Sequence, residues 1–317
     1  MSITFRSAVR ENVGLLIGLI GASGGGKTFT AMRLAKGIAG DRPFAVIDTE
    51  ARRALHYADQ FHFDHADLRP PFTPSAYADA IAAADDAKYP VIVVDSASHE
   101  HAGVGGILDM QEAEFARLGG RDNVKMLSWV KPKGEHRKMV QRLLQVRAHL
   151  ILAFRAEEKI EMVKGADGKV EVRKKVTSTG IDGWVPICEK NLPYELTCSF
   201  LLLPSRPGVP LPIKLQEQHR ALFPLDTPIT EESGRRLAAW AAGGAPVTTA
   251  VTPDERATLL TKIGDGSRAL GLSDQEKREM WAEHCKGYRQ ENAPVTNLRA
   301  LERAINARAD APAPVGA

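Results

Sequence analysis

Gly21-Ala22-Ser23-Gly24-Gly25-Gly26-Lys27-Thr28 sets four glycines, a lysine and two hydroxyls within eight residues. That combination suits phosphate. Glycines let backbone N–H groups converge on phosphate oxygens without a Cβ in the way. A lysine in this place reaches the β- and γ-phosphates, and a hydroxyl beside it ligates Mg²⁺. Lys27 and Thr28 are the candidates for those two roles. Gly21, Ala22, Ser23, Gly24, Gly25, Gly26 and Phe29 complete the expected ATP-binding segment. The apolar run Leu15 to Ile20 precedes it and reads as a buried strand. Helical spacing of Met32, Leu34, Ala35 and Ile38 follows, so the loop ends at a helix N-terminus, where anions bind.

Two further acidic positions fit the same chemistry. Val91-Ile92-Val93-Val94-Asp95 is an apolar strand with a carboxylate at its C-terminal end, where α/β sheets bind ligands. Asp95 is expected to support Mg²⁺. Phe44-Ala45-Val46-Ile47-Asp48-Thr49-Glu50 ends a second strand with two carboxylates. ATP hydrolysis needs a group that orients and deprotonates water, and on chemistry alone either Asp48 or Glu50 could do so.

These groups need a scaffold of alternating strands and helices. The strands read at Leu15 to Ile20, Phe44 to Ile47, Val91 to Val94 and Leu150 to Phe154. Helices read at Lys27 to Ile38, Tyr77 to Ala87, Ile107 to Leu118 and near Glu135 to Val146. The alternation predicts an α/β fold with a mainly parallel sheet covered on both faces. Glu158 to Val163 and Lys169 to Val176 alternate around Gly165-Ala166-Asp167-Gly168, a β-hairpin pattern, and Leu196 to Leu203 is a further strand. Pro204, Pro207, Pro210 and Pro212 mark an extended stretch, and His62, Asp64, His65 and Asp67 read as a Pro-flanked polar loop without metal-ligand spacing. The expected organisation is a core over 1–240 with a basic hairpin at 156–178, a linker at 241–251, a small all-α domain at 252–309 and a tail at 310–317. Thr252-Pro253-Asp254-Glu255 and Ser273-Asp274-Gln275-Glu276 supply capping boxes for that helical domain.

With the loop, Val46-Ile47-Asp48-Thr49-Glu50 and Val93-Val94-Asp95-Ser96 in place, the chain resembles the RecA/RadA class of P-loop ATPases. Asp95-Ser96-Ala97-Ser98-His99-Glu100, the segment at Trp129 and Ala148-His149-Leu150-Ile151-Leu152-Ala153-Phe154-Arg155 extend the likeness. They point to phage nucleotide-binding proteins with a RecA-like core, some regarded as single-strand annealing recombinases. The resemblance covers roughly residues 12–205 and implies a RecA-like core. It also implies that Glu50 activates water and that Arg155 lies at the γ-phosphate sensor position, where bacterial recombinases carry glutamine. Arg155 could there stabilise transition-state charge or be a surface arginine at a strand end.

The resemblance also implies single-stranded DNA as a partner and assembly as a ring or filament. Residues 117–175 carry 16 basic against 7 acidic groups, net +9, while the whole chain is only +3. Lys131, Lys133, Lys159, Lys164, Lys169, Arg173, Lys174 and Lys175 are the candidate DNA contacts in that block. Few aromatics accompany them, only Phe115, Trp129 and Phe154. Basic runs are also common as solvated faces. Lys190, ahead of the strand at Leu196, is the candidate trans-acting residue between subunits. The charge-balanced C-terminal helices could bind a single-strand-binding or other recombination protein. Two other readings stay open: a motor or loader ATPase acting on a protein partner, and a low-turnover nucleotide-binding regulator.

Composition narrows the field. The chain is 44% hydrophobic and 26% charged, which excludes a mainly disordered protein. Its early apolar run is far short of the roughly 20 residues of a membrane span. Three cysteines cannot frame a disulfide scaffold. A reducing cytoplasm is the expected setting.

Overall fold

Leu16–Gly21 (β1) is buried at every position. An apolar run without alternation makes a strand that is covered on both faces. In the computed structural model, residues 10, 14–164, 170–177, 181, 183–243, 253–285, 288–290, 293 and 295–309 are described. From β1 the chain passes into α1 (Lys27–Ala39), β2 (Phe44–Asp48), a 3-10 turn at Arg53–Tyr57 and β3 (Phe63–Asp67). Next come α2 (Pro74–Asp86), β4 (Val91–Asp95), α3 (His99–Ala102), α4 (Ile107–Arg117), α5 (Val130–Leu143) and β5 (His149–Glu158). The hairpin β6 (Ile160–Lys164) and β7 (Val170–Lys174) follows, then β8 (Trp184–Pro186), α6 (Leu192–Glu195) and β9 (Cys198–Leu202). β10 (Pro210–Lys214), α7 (Glu217–Arg220) and α8 (Glu231–Ala241) complete the first part.

The main sheet has the order β10-β9-β1-β5-β4-β2-β3, with β8 antiparallel to the far end of β5. Every other neighbouring pair is parallel except the edge pair β9–β10. Alternate residues of β1 feed two cores. Ile17 and Leu19 pack with Met32 and Leu34 of α1 and Leu237 of α8. Leu16 and Ile20 pack with Tyr77 and Ile81 of α2 and Met139 and Leu143 of α5. The result is an α/β/α sandwich. Each fully buried Leu or Ile contributes about 1.5–3 kcal/mol, so the sheet edge that carries the loop rests on a rigid base.

Two sequence expectations change, and the extended proline stretch becomes specific. The stretch His62 to Asp67 is not a loop: Phe63–Asp67 is strand β3, parallel to β2, and its mixed exposure explains the polar residues. The proline-rich stretch includes β10, an antiparallel edge strand, where missing N–H donors are tolerated. α5 begins at Val130, five residues before the expected start near Glu135, because Pro132 lies in its first turn and needs no amide partner. α8 gave no signal that was read from the sequence. It is capped by Thr230, whose Oγ1 accepts the Glu232 amide at 3.3 Å.

The chain divides into two compact units, Met1–Gly244 and Ala245–Ala317. In the second, α9 (Pro253–Ala269), α10 (Asp274–Cys285) and α11 (Val295–Ala309) bury Leu259, Ile263, Leu298, Leu301 and Ile305 together. The Ser273 capping box is made in both directions. Ser273 N donates to Glu276 Oε2 at 2.9 Å, and Glu276 N donates to Ser273 Oγ at 3.3 Å. Thr252, most of the expected linker, the hairpin tip with Lys169, and the tail lie outside the described residues. Among the described residues no helix is long and apolar enough to cross a membrane.

Candidate active site

Strand register brings the candidates to one edge. Gly21 at the end of β1 lies beside Arg155 on β5, Ala153 lies beside Asp95 on β4, and Asp95 lies beside Asp48 on β2. The phosphate loop springs from the same edge. Gly24 and Gly26 have φ of +80° and +83°, a backbone that L side chains rarely adopt. A Cβ on Gly25 would meet Leu202 O at 2.4 Å. No side chain caps the N-terminus of α1, and no acidic residue lies in its first turn. Its leading N–H groups and positive dipole end are therefore left to an anion.

Lys27 arches back over the loop, its Nζ donating to Ala22 O at 2.9 Å. Burial lowers its pKa, Asp95 and Glu50 oppose that shift, and Arg155 adds to it. Thr28 Oγ1 donates to Asp95 Oδ2 at 2.5 Å. Burial pushes the Asp95 carboxyl up to about 6, against the Thr28 bond. A hydroxyl and a carboxylate so close offer the hard oxygen donors that Mg²⁺ prefers, so the residues fit that ion. Phe29 packs its ring on Tyr57 and Phe61, each 5.8 Å away. Its backbone N–H lies in the first turn of α1.

The structure separates the two carboxylates after β2. Asp48 is 1% exposed and its oxygens accept the amides of Glu50 at 2.7 Å and Ala54 at 2.9 Å. His65 Nε2 lies 3.2 Å from Asp48 Oδ2 as well. Asp48 thus builds the turn. Glu50 faces the loop's neighbours: its Oε1 accepts from Arg155 Nε at 3.1 Å and Nη2 at 2.6 Å, and Arg53 Nη1 reaches Oε2 at 3.4 Å. Arg155 is anchored through its backbone N–H, which donates to Ser98 Oγ at 2.8 Å. His99 stands beside them. Its Nδ1 is 2.8 Å from Thr49 Oγ1, its Nε2 is 4.0 Å from Glu50 Oε1, and its ring stacks on Phe72. Glu100, the next residue, turns inward and lies 2.9 Å from His136 Nδ1 on α5.

The basic block is arranged differently from its sequence. Three hairpin cations are matched by carboxylates of the same region: Lys159 with Glu157 at 2.7 Å, Arg173 with Glu161 at 3.0 Å and Lys174 with Glu158 at 3.2 Å. Net charge does not reveal such pairing. Lys133 on α5 lies 3.9 Å from Glu189 and 5.7 Å from the Trp129 ring centroid. Lys131 is exposed on the same helix. Phe154, counted among the aromatics of the block, is only 1% exposed and belongs to the core.

Three lysines instead meet at the base of the hairpin. Lys175, Lys190 and Lys214 border a groove of about 390 Å³ together with Trp184 and Tyr194, and among the described residues no carboxylate lines it. Sequence reading missed Trp184, Tyr194 and Lys214 because they belong to three separate elements. Their signal was an aromatic residue on each side of Lys190.

A phosphate-binding loop between the first strand and helix of a mainly parallel sheet, with Asp95 touching Thr28, defines a P-loop nucleotide-binding domain. The chain belongs to the AAA domain family AAA_24, whose profile matches residues 14–186, more than half of its length. Among solved structures it is similar to a KaiC-like protein, PH0186, from the hyperthermophilic archaeon Pyrococcus horikoshii OT3. The identity is 16% over 61% of this chain and 72% of that one, with a TM-score of 0.32. No curated protein matches the chain.

Proposed function

We propose that this protein binds ATP with Mg²⁺, hydrolyses it to ADP and phosphate, and couples that cycle to single-stranded DNA in phage-type recombination or annealing. The observation that carries the ATPase reading is the Thr28–Asp95 contact beside Lys27, whose charge is coupled to both Asp95 and Glu50. Loop amides and Lys27 bind the phosphates. Thr28 and Asp95 would hold Mg²⁺, which would neutralise phosphate charge. Glu50 orients water and takes its proton. Arg155, beside Gly21, supplies positive charge where negative charge develops.

The DNA part rests on the groove of Lys175, Lys190 and Lys214 with Trp184 and Tyr194, which combines phosphate-binding cations with faces for bases. In this reading Lys190 is a phosphate contact as well as the candidate for reaching a neighbouring subunit in a ring or filament. The test is the ATPase rate with and without single-stranded DNA at two salt concentrations, with Lys27→Ala as the blank. Stimulation that fades with salt is expected. An unchanged rate, with no DNA bound in the presence of ATP, overturns the coupling.

One observation favours a protein partner instead. Ile160, Met162, Val170 and Val172 are 60–77% exposed and, by strand register, share one face of the hairpin. A motor or loader ATPase would use such a face, and turnover that depends on an added protein rather than DNA would select this reading.

A further inference from the structure

We infer that His99 is a second positioning residue, holding the water that attacks the terminal phosphate jointly with Glu50. The inference rests on ATP hydrolysis at the loop described above.

The argument starts at Thr49. Its hydroxyl donates to Ser96 O at 3.1 Å and accepts the Ser96 amide at 2.8 Å. With that hydrogen on Ser96 O, which also accepts from Tyr77 Oη at 2.8 Å, the oxygen meets His99 Nδ1 at 2.8 Å as an acceptor, and the inference assigns the ring proton to Nδ1. Nε2 is then left with its lone pair. It lies 4.0 Å from Glu50 Oε1, also an acceptor. Two acceptors at that separation do not bond each other. A water at about 2.8 Å from each spans the gap, one hydrogen to each. Its lone pairs are then left for phosphorus.

The arrangement is held firmly. Thr49 fixes one edge of the His99 ring, and Phe72 covers a face at 5.1 Å between centroids. The Asp48 carboxylate pins the Glu50 amide. Burial, and then Arg155, lower the His99 pKa, which favours the neutral ring. Arg155 occupies Glu50 Oε1 with two nitrogens, and its side chain is 47% exposed. Guanidinium groups pair with phosphate as readily as with carboxylate. A terminal phosphate that draws Arg155 away opens Oε1 to the water.

The step balances without a further reactant. The water oxygen forms a bond to the γ-phosphorus, and the bond from that phosphorus to the β–γ bridging oxygen breaks. Its electron pair leaves on ADP. One water proton passes to Glu50, and the other, directed by Nε2, stays on the new phosphate.

The test uses the full chain as wild type, His99→Ala and His99→Gln. Nitrogen-15 ring shifts of the wild type, without nucleotide, report the tautomer; a proton on Nδ1 and none on Nε2 is expected. Single-turnover hydrolysis at saturating ATP should fall about 10–100-fold in His99→Ala, with part of the rate restored in His99→Gln. ATP affinity should hold nearly constant in both variants, and the melting temperature should hold in His99→Gln while His99→Ala loses a little through the emptied contact with Phe72. A proton on Nε2, a wild-type rate in His99→Ala, or a joint fall of rate, affinity and melting temperature each overturns the inference. If the wild type does not turn ATP over, the proposed function falls on its own. Retention of ADP with aluminium fluoride then decides: weaker trapping in His99→Ala supports the role of His99, and equal trapping overturns it.

Discussion

Glu50 and Asp48 stand two residues apart and do opposite work. Asp48 spends its oxygens on backbone amides, and Glu50 keeps its carboxylate among Arg155, His99 and the loop lysine. Glu50→Gln should therefore retain ATP binding and lose about 100-fold or more in hydrolysis. Asp48→Asn should act first on stability, since charge-assisted bonds to buried amides are worth about 1.5–3 kcal/mol each. Equilibrium nucleotide binding, turnover and a melting curve on both variants separate the two roles. Full activity in Glu50→Gln would defeat the assignment. Arg155→Ala should leave ADP binding intact and reduce the preference for ATP over ADP by roughly tenfold, the scale of one lost charge-assisted contact. Titration with both nucleotides reads this directly. At this scale the loop, Asp95 and the two carboxylates were legible because each is a residue type at a strand end. Which carboxylate would face the loop was not, because the choice depends on a turn closed by the Ala54 amide and His65. The surroundings of His99 were hidden for a similar reason: its Nδ1 meets Thr49, fifty residues away.

Between elements, the joints are narrow. α1 and α8 cross where Gly37 and Gly234 meet, and a Cβ on Gly37 would stand 2.0 Å from Glu231 O. Arg33 and Glu231 close the same crossing at 2.7 Å. Gly37→Ala should thus destabilise by about 1–3 kcal/mol through overpacking, read as a lower denaturant midpoint. At the other end of β1, His149 Nδ1 accepts the Leu15 amide at 3.3 Å. Burial lowers the His149 pKa from 6.5 to about 4. The neutral ring is favoured in the folded chain, so its contribution is present above pH 6.5 and lost as pH falls toward 4. The amount is about 3 kcal/mol. Asp95 has the opposite sign, because its raised pKa favours the protonated form at low pH. The comparison must therefore be wild type against His149→Gln. Unfolding free energies should converge between pH 6.5 and 4, and parallel curves would show that His149 is not the group. The parallel strands were legible as unbroken apolar runs. β3 and β10 were not, because edge strands tolerate polar residues and proline: β3 alternates in burial through polar side chains, and Pro210 and Pro212 mask the alternation of Leu211 and Ile213 in β10.

Charge at the scale of the whole molecule is where linear sequence informs least. The +9 stretch suggests a single basic surface, but folding pairs much of the hairpin with its own carboxylates and recruits Lys190 and Lys214 from outside the stretch. An exposed ion pair adds little to stability, yet it cancels the local field that a phosphate would feel. Single-stranded DNA should accordingly respond to the groove before the hairpin strands. Lys175→Gln with Lys190→Gln is expected to weaken binding and to reduce the slope of log affinity against log salt by about 0.7 per lysine. Lys159→Gln with Arg173→Gln should change that slope much less, because cations held by Glu157 and Glu161 make no phosphate contact whose counterions are released. Trp184→Ala separates stacking from charge: it should lower affinity by about 1–3 kcal/mol with the salt slope unchanged. Fluorescence anisotropy of a labelled oligonucleotide across a salt series measures all three. Equal slope losses in both lysine pairs would return the contact to the hairpin. A flat response in every variant would leave the exposed Ile160, Met162, Val170 and Val172 face as the surface the ATPase presents to its partner.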